Sequence, residues 1–295
     1  MIEHNLSAPG TKAGRTQRVV LDLLRRHAAE GGLPTNGRFV FYELEQEGNA
    51  TKPSPDDLRP NRRRSRGWPP GSQDVTDALT HLREVGAIPW SWVVDEERSL
   101  DQWAHAPSVL EYLLDRLPEA TVSPWNGTPP PLILCESNAT AGVLRAHASE
   151  YVCPIAGTKG HAGGFLRTVV APELRSGGRL RQVLYLGDLD RSGEHIEENS
   201  RRVLEDVLDD SLDWLRVAIT EEQAADIDPI YKVDGRDRRG AFAWEVEALG
   251  QAAVVGLVRS HLDALLPEPL ARVQEREQGE RDALFVLLER HRNPA

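Results

Sequence analysis

The chain has 295 residues, 40% of them hydrophobic and 27% charged, with a net charge of −11. That supplies apolar material for one or two cores and excludes a mostly disordered polypeptide. The two cysteines, Cys135 and Cys153, do not make a disulfide framework or a zinc cluster, and no apolar run approaches the roughly 18–20 residues that span a bilayer. The first fifteen residues lack the apolar stretch of a secretory signal. A soluble, cytoplasmic protein with no membrane partner is therefore expected. The acidic total is uneven, because residues 1–70 carry 12 Lys/Arg against 8 Asp/Glu while the remainder is acidic. That asymmetry keeps nucleic acid open as a partner of the N-terminal part.

Helical periodicity begins at Gln17–Ala28, where Val19, Val20, Leu23 and Leu24 share one stripe. A Gly31-Gly32 break and the turn cluster Pro34-Thr35-Asn36-Gly37 separate it from a second helix, Arg38–Glu47. There Val40, Phe41 and Leu44 form the buried side, and Arg38, Tyr42 and Glu45 lie on a separate face, which predicts an exposed Tyr42 beside a cation. Residues 49–71 are irregular and contain Arg59, Arg62, Arg63, Arg64 and Arg66, a run suited to salt-sensitive phosphate contacts in DNA as well as to plain solvation. A third helix starts at Ser72, and Ile88–Val94 reads as a strand. Three helices followed by a strand is the order of a winged-helix module, which sets a first domain at 1–98.

Residues 99–130 read as a linker helix over Pro107–Leu117 followed by a Pro-rich hinge. From 131 to 295 the pattern alternates between strands and helices, which predicts an α/β domain with a mostly parallel sheet. The strands fall at Leu132–Cys135, Tyr151–Ala156, Gln182–Leu186 and Leu215–Ile219, and the tail from Ala241 reads as helical. Ligands of open parallel sheets bind beyond the carboxyl ends of the strands. Glu136 follows the first strand, while Asp188 and Asp190 follow the third, two residues apart and thus pointing the same way in extended chain. Oxygen donors of this kind suit Mg²⁺, or Mn²⁺, organising a phosphodiester. An Asp-Leu-Asp that merely starts the next helix is the alternative. Lys159, in the Gly-rich loop 157–161, could hold a phosphate or be a solvated loop lysine, and Lys232 is a weaker candidate of the same kind. Glu245 and Glu247 are expected to open the helical tail at the surface, with metal ligation a remoter role.

The strand ending in Glu136 and the later Gly187-Asp188-Leu189-Asp190-Arg191-Ser192-Gly193 resemble a Toprim domain. The variety that matches best is that of the topoisomerase VI A subunit and the meiotic double-strand-break protein, which also place a winged-helix domain before Toprim. Arg38 and Tyr42 match that family's Arg-x-x-Tyr-Tyr-like helix, with Phe41 replacing the first Tyr, and Arg191 stands where the family's turn has Pro. The same plan resembles the nuclease subunit of the Wadjet plasmid-defence system and other bacterial and phage Toprim proteins.

The resemblance implies Mg²⁺-dependent cleavage of double-stranded DNA. In that scheme Glu136, Asp188 and Asp190 hold metal, Arg38 and Lys159 stabilise phosphate charge, and Tyr42 attacks to give a 5′-linked protein. It also implies a homodimer in which Tyr42 of one protomer meets the metal site of the other. The chain lacks a G-x-x-x-x-G-K-[ST] motif, so strand passage would need a separately encoded ATPase subunit. Two alternatives stay open: a metal-dependent endonuclease using water, in a defence or mobile-element setting, and a non-catalytic DNA-binding scaffold.

Overall fold

The computed structural model describes residues 5–52, 69–94, 104–158, 163–176, 179–180, 182–232 and 241–292. Helix α1 (Lys12–Glu30) starts where the Thr11 side chain accepts a hydrogen bond from Gly14 N, and stops at Gly31, whose φ of 74° is left-handed. Helix α2 (Gly37–Gln46) is capped by Asn36, which accepts from Arg38 N and Phe39 N. Helix α3 (Ser72–Glu84) follows, and Val20, Leu24, Val40, Leu44, Val75 and Leu82 of the three helices share one core. At about 1.5–3 kcal/mol for each fully buried aliphatic side chain, these six residues supply much of what holds α1, α2 and α3 together.

The strand expected at Ile88–Val94 does not form. Its centre is a single 3₁₀ turn, Trp90–Trp92, and only Val93 makes a bridge, parallel to Thr35. Pro89 removes a ladder donor at the start of the segment and Trp90 faces solvent, while Ile88 and Val93 are buried and Trp92 and Val94 pack partly buried against the cores. The linker helix is α4 (Val109–Arg116), shorter at both ends than Pro107–Leu117 because Ser108 caps it and Leu117–Glu119 tightens into a 3₁₀ turn.

Among the described residues the main sheet has four strands, all parallel, in the order β2-β1-β5-β6. They are β1 (Leu132–Cys135), β2 (Ile155–Gly157), β5 (Val183–Leu186) and β6 (Trp214–Ala218). Helix α5 (Asn138–Glu150) joins β1 to β2. The chain from β2 to β5 passes through α6 (Gly163–Phe165), a π turn, α7 (Ala171–Leu174) and the hairpin β3 (Arg175–Ser176) and β4 (Arg179–Leu180). Strand β2 is shorter than expected because Tyr151 and Val152 form the turn that ends α5, with Val152 at φ 54°. Helix α8 (Arg191–Leu208) joins β5 to β6.

The β1 and β5 residues are apolar at every position, as strands covered on both faces must be. Ile133, Cys135, Leu184 and Leu186 pack with residues of α5, whereas Leu132, Leu134, Val183 and Tyr185 pack with α7 and α8.

The C-terminal part departs from an all-helical tail. After α9 (Glu221–Ala224), strand β7 (Ile230–Lys232) pairs antiparallel with β8 (Ala241–Ala243). Residues 244 and 245 stay extended, Val246–Leu249 makes a 3₁₀ turn, and only then do α10 (Gln251–Leu265) and α11 (Leu270–Arg292) begin. Trp244 is held extended by its bridge to Leu189, and Gly250, at φ 81°, separates the 3₁₀ turn from α10. No helix among the described residues is long and apolar enough to cross a membrane.

Candidate functional site

Glu136 leaves the end of β1, and its Oε2 accepts a hydrogen bond from Asp188 N at 3.1 Å, which ties the ends of β1 and β5 together. The Asp188 side chain itself accepts from Val246 N at Oδ1, 3.1 Å away. Asp190 caps α8, with Oδ1 accepting from Gly193 N at 2.8 Å, so this residue does the helix-starting work that an Asp-Leu-Asp can do. Gly193 is required by close approach, since a Cβ there would lie 2.2 Å from Asp188 O and 3.3 Å from Glu136 Oε2. Beside Asp190 a cleft of about 460 Å³ opens between Arg191, Glu194, Glu221, Phe242 and Trp244.

The segment that reaches Asp188 is held by a short antiparallel bridge. Leu189 N donates to Trp244 O at 2.8 Å and Trp244 N donates to Leu189 O at 3.1 Å. This places Glu245 and Glu247 next to the sheet end, both buried, at 8% and 1% exposure. The expectation of surface acids at the head of a helix is thereby corrected. Glu247 Oε1 accepts from Thr140 Oγ1 of α5 at 2.9 Å. Burial pushes the Glu247 carboxyl above its ordinary range, with Asp188 and Glu245 adding to the rise and Arg38 opposing it.

Helix α2 supplies the remaining groups from the opposite side. Asn36 Nδ2 donates to Ala139 O at 3.1 Å, fixing the start of α2 against the start of α5. Arg38 pairs with Glu245 Oε1 and lies 3.9 Å from Glu247 Oε1. Burial alone would weaken the guanidinium's hold on its proton. The carboxylates of Glu247, Glu245 and Asp188 outweigh that and raise its pKa.

Tyr42 is 3% exposed, and its hydroxyl donates to Glu245 Oε2 at 2.6 Å. The expected exposed face of Tyr42 is therefore filled by the C-terminal segment, which no periodicity within α2 could reveal. Burial, followed by the Glu245 charge and the hydrogen bond to it, raises the Tyr42 hydroxyl's pKa, while Arg38 works against the rise. Lys52 Nζ stands 5.5 Å from the Tyr42 ring centroid.

These contacts link Glu136 to Asp188, Asp188 to the backbone of Val246, and Glu245 to Arg38 and Tyr42, all within one chain. Lys159 and Arg59, Arg62, Arg63, Arg64 and Arg66 lie outside the described residues. Cys135 is buried in the sheet, its thiol pushed up by burial, and serves as core. Thr140, which orients Glu247, carries no sequence signal of its own. Glu245 and Glu247 do carry one, the two-residue alternation with Trp244 and Val246.

Carboxylate oxygens such as those of Glu136, Asp188 and Asp190 are the donors a hard divalent cation prefers. Among the described residues, however, no three His, Cys, Asp or Glu side chains are already gathered in the manner of a metal-ligand shell. Asp188 and Asp190 are each oriented by a backbone N–H through Oδ1. No protein-family signature, curated protein or solved structure matches the chain.

Proposed function

We propose that this chain is a Mg²⁺-dependent DNA-cleaving enzyme with a Toprim-like site, in which water rather than Tyr42 attacks the phosphodiester. The observation that carries the reading is the tie between Glu136 and Asp188 beyond β1 and β5, with Asp190 starting α8 after them, Glu245 and Glu247 buried beside the sheet end, and the half-exposed Arg38 paired with Glu245. Glu136, Asp188 and Asp190 would hold the ion, which when bound offsets phosphate charge and acidifies a water. Arg38, held by Glu245 and open to solvent on one side, is the group able to meet a phosphate oxygen. Tyr42 and Arg38 together fix both oxygens of Glu245. The basic residues 1–70 support DNA as the substrate.

A buried, hydrogen-bonded hydroxyl with a raised pKa is a poor nucleophile, because a phosphorus must come within about 3–3.5 Å of it. A second reading, with Tyr42 as the nucleophile, is favoured by one observation: Glu245 already sits where a general base would take the phenolic proton.

Incubation with supercoiled plasmid and Mg²⁺ tests both. Under the first reading wild-type protein nicks or linearises the plasmid, Asp188→Ala and Glu136→Ala do not, and Tyr42→Phe retains cleavage with no protein–DNA adduct. Trapping an adduct that vanishes in Tyr42→Phe selects the second reading. Cleavage that persists in Asp188→Ala, or is absent from wild type, sinks both and leaves the DNA-binding scaffold.

A further inference from the structure

A second cleft, of about 540 Å³, lies where α1 and α2 meet α10, and its size is that of a small-molecule site. Its walls include two buried residues with a side-chain atom that no group among the described residues satisfies, His27 Nδ1 and Gln251 Oε1. His27 is 9% exposed and Gln251 5%. The role of each atom is fixed by the other end of its side chain. Gln251 Nε2 donates to Gly32 O at 2.6 Å and to Pro34 O at 3.0 Å, so the amide cannot turn round and Oε1 is an acceptor. His27 Nε2 lies 2.5 Å from Glu43 Oε2, which places the ring proton on Nε2 and leaves Nδ1 as a second acceptor. The two residues are neighbours, because Glu43 and Gly32 each contact both. Glu43 Oε1 accepts from Gln251 N at 3.1 Å, and Gly32 N donates to His27 O at 2.8 Å.

A buried acceptor without a donor is costlier than a hydrogen bond is favourable, so a pair of them on one cleft calls for N–H groups. The remaining lining sets the charge of the group that carries them. Glu30, Glu43 and Glu47 stand against a single guanidinium, that of Arg26, which is paired with Glu47. His147 adds no cation at neutral pH, since burial lowers its pKa. Leu23, Ala252, Val255 and Gly256 supply an apolar side. An acidic, acceptor-lined cleft of this kind repels phosphate and other anions. It is also unlike a metal site, because no three His, Cys, Asp or Glu side chains among the described residues are gathered to hold an ion.

We infer that the cleft binds an aliphatic polyamine, with one primary ammonium donating to Gln251 Oε1 and His27 Nδ1 and the hydrocarbon chain lying along the apolar side. A primary ammonium has three N–H donors and a full positive charge, which answers both the unpaired acceptors and the excess of carboxylates. One wall comes from α1 and α2 and the other from α10, so an occupant stabilises the docking of the N-terminal helices by mass action. The inference is independent of the cleavage reading, because the cleft contains none of Glu136, Asp188, Asp190, Arg38 and Tyr42.

Isothermal titration calorimetry of the full chain with spermidine, without DNA or added metal, is the test. One equivalent is expected to bind, and tetramethylammonium, which has the charge but no N–H, is expected not to. Gly256→Phe fills the cleft from the surface of α10, where an added Cβ meets nothing within 4 Å, so the circular dichroism spectrum is kept and spermidine binding is lost. Gln251→Leu removes one acceptor and is expected to weaken binding about tenfold, and Glu30→Gln weakens it by a smaller factor. No binding by wild type overturns the inference, as does binding that Gly256→Phe leaves unchanged, which is plain counter-ion attraction to an acidic surface. Equal binding of tetramethylammonium overturns it by showing that charge alone is read. Mg²⁺ binding that Gly256→Phe abolishes, with spermidine failing to bind, overturns it in favour of a metal site.

Discussion

Two sets of carboxylates meet beyond the sheet, and they are held by different means. Glu136, Asp188 and Asp190 each accept from a backbone N–H, those of Asp188, Val246 and Gly193. Glu245 and Glu247 are fixed by side chains contributed from afar, Arg38 and Tyr42 on α2 and Thr140 on α5. Backbone amides cannot be mutated away, so the first set is a property of the strand–turn–helix unit itself. The hold on Glu245 exists only while α2 is docked, and it couples the stability of the N-terminal helices to the charge state of the site.

The sharpest way to break the first set is Gly193→Ala. A Cβ at 2.2 Å from Asp188 O forces the β5–α8 turn to move, and we expect a loss of about 3 kcal/mol in urea unfolding, with Glu136 no longer accepting from Asp188. Equal stability of the variant would show that the turn is looser than described.

Tyr42→Phe breaks the second set with little change of volume. It removes a hydrogen bond to a buried carboxylate and should cost about 2 kcal/mol, against almost nothing for a surface tyrosine. The same unfolding experiment reads it.

Asp190 separates its two potential duties by a pair of substitutions. Asp190→Ala removes the α8 cap and should cost about 1 kcal/mol, whereas Asp190→Asn keeps an acceptor for Gly193 N and should stay within a few tenths of wild type. If the proposed cleavage needs the charge, the Asn variant folds normally and is inactive.

The smallest effect is one of slope. Glu247 has a folded-state pKa above its unfolded value, so the folded state binds more protons than the unfolded state between the two. Its contribution is therefore undiminished below the unfolded pKa near 4.5 and is lost as pH rises towards the folded value. Glu247→Gln should flatten that part of the stability–pH curve while preserving an acceptor for Thr140. A curve parallel to wild type would mean that Glu247 titrates normally.

These differences track what the sequence makes legible. The parallel strands announce themselves because Leu132–Cys135 and Gln182–Leu186 are short apolar runs with turn signals after them, and Glu136, Asp188 and Asp190 stand at their ends. The helices α1, α2 and α3 follow from stripes and caps such as Asn36. What local pattern could not show is which face of α2 would be covered. Arg38 and Tyr42 sit four residues apart on a face that looks solvent-exposed until Glu245 arrives from two hundred positions away. Trp90–Trp92 misled for the opposite reason, because β-favouring aromatics without a partner strand settle for a 3₁₀ turn.

The bridge between Leu189 and Trp244 also bears on when the site comes into being. A chain emerging from the ribosome can complete β1, β5 and the α8 cap as soon as β6 is out, and it then carries Glu136, Asp188 and Asp190 in place. Tyr42 and Arg38 have by then been synthesised for some time but lack their acidic partners. The two backbone hydrogen bonds of the bridge can form only after residue 244 has followed, so the cluster is assembled last and from its most distant parts. Any chemistry it performs is withheld from the nascent chain until that second strand of the bridge has arrived.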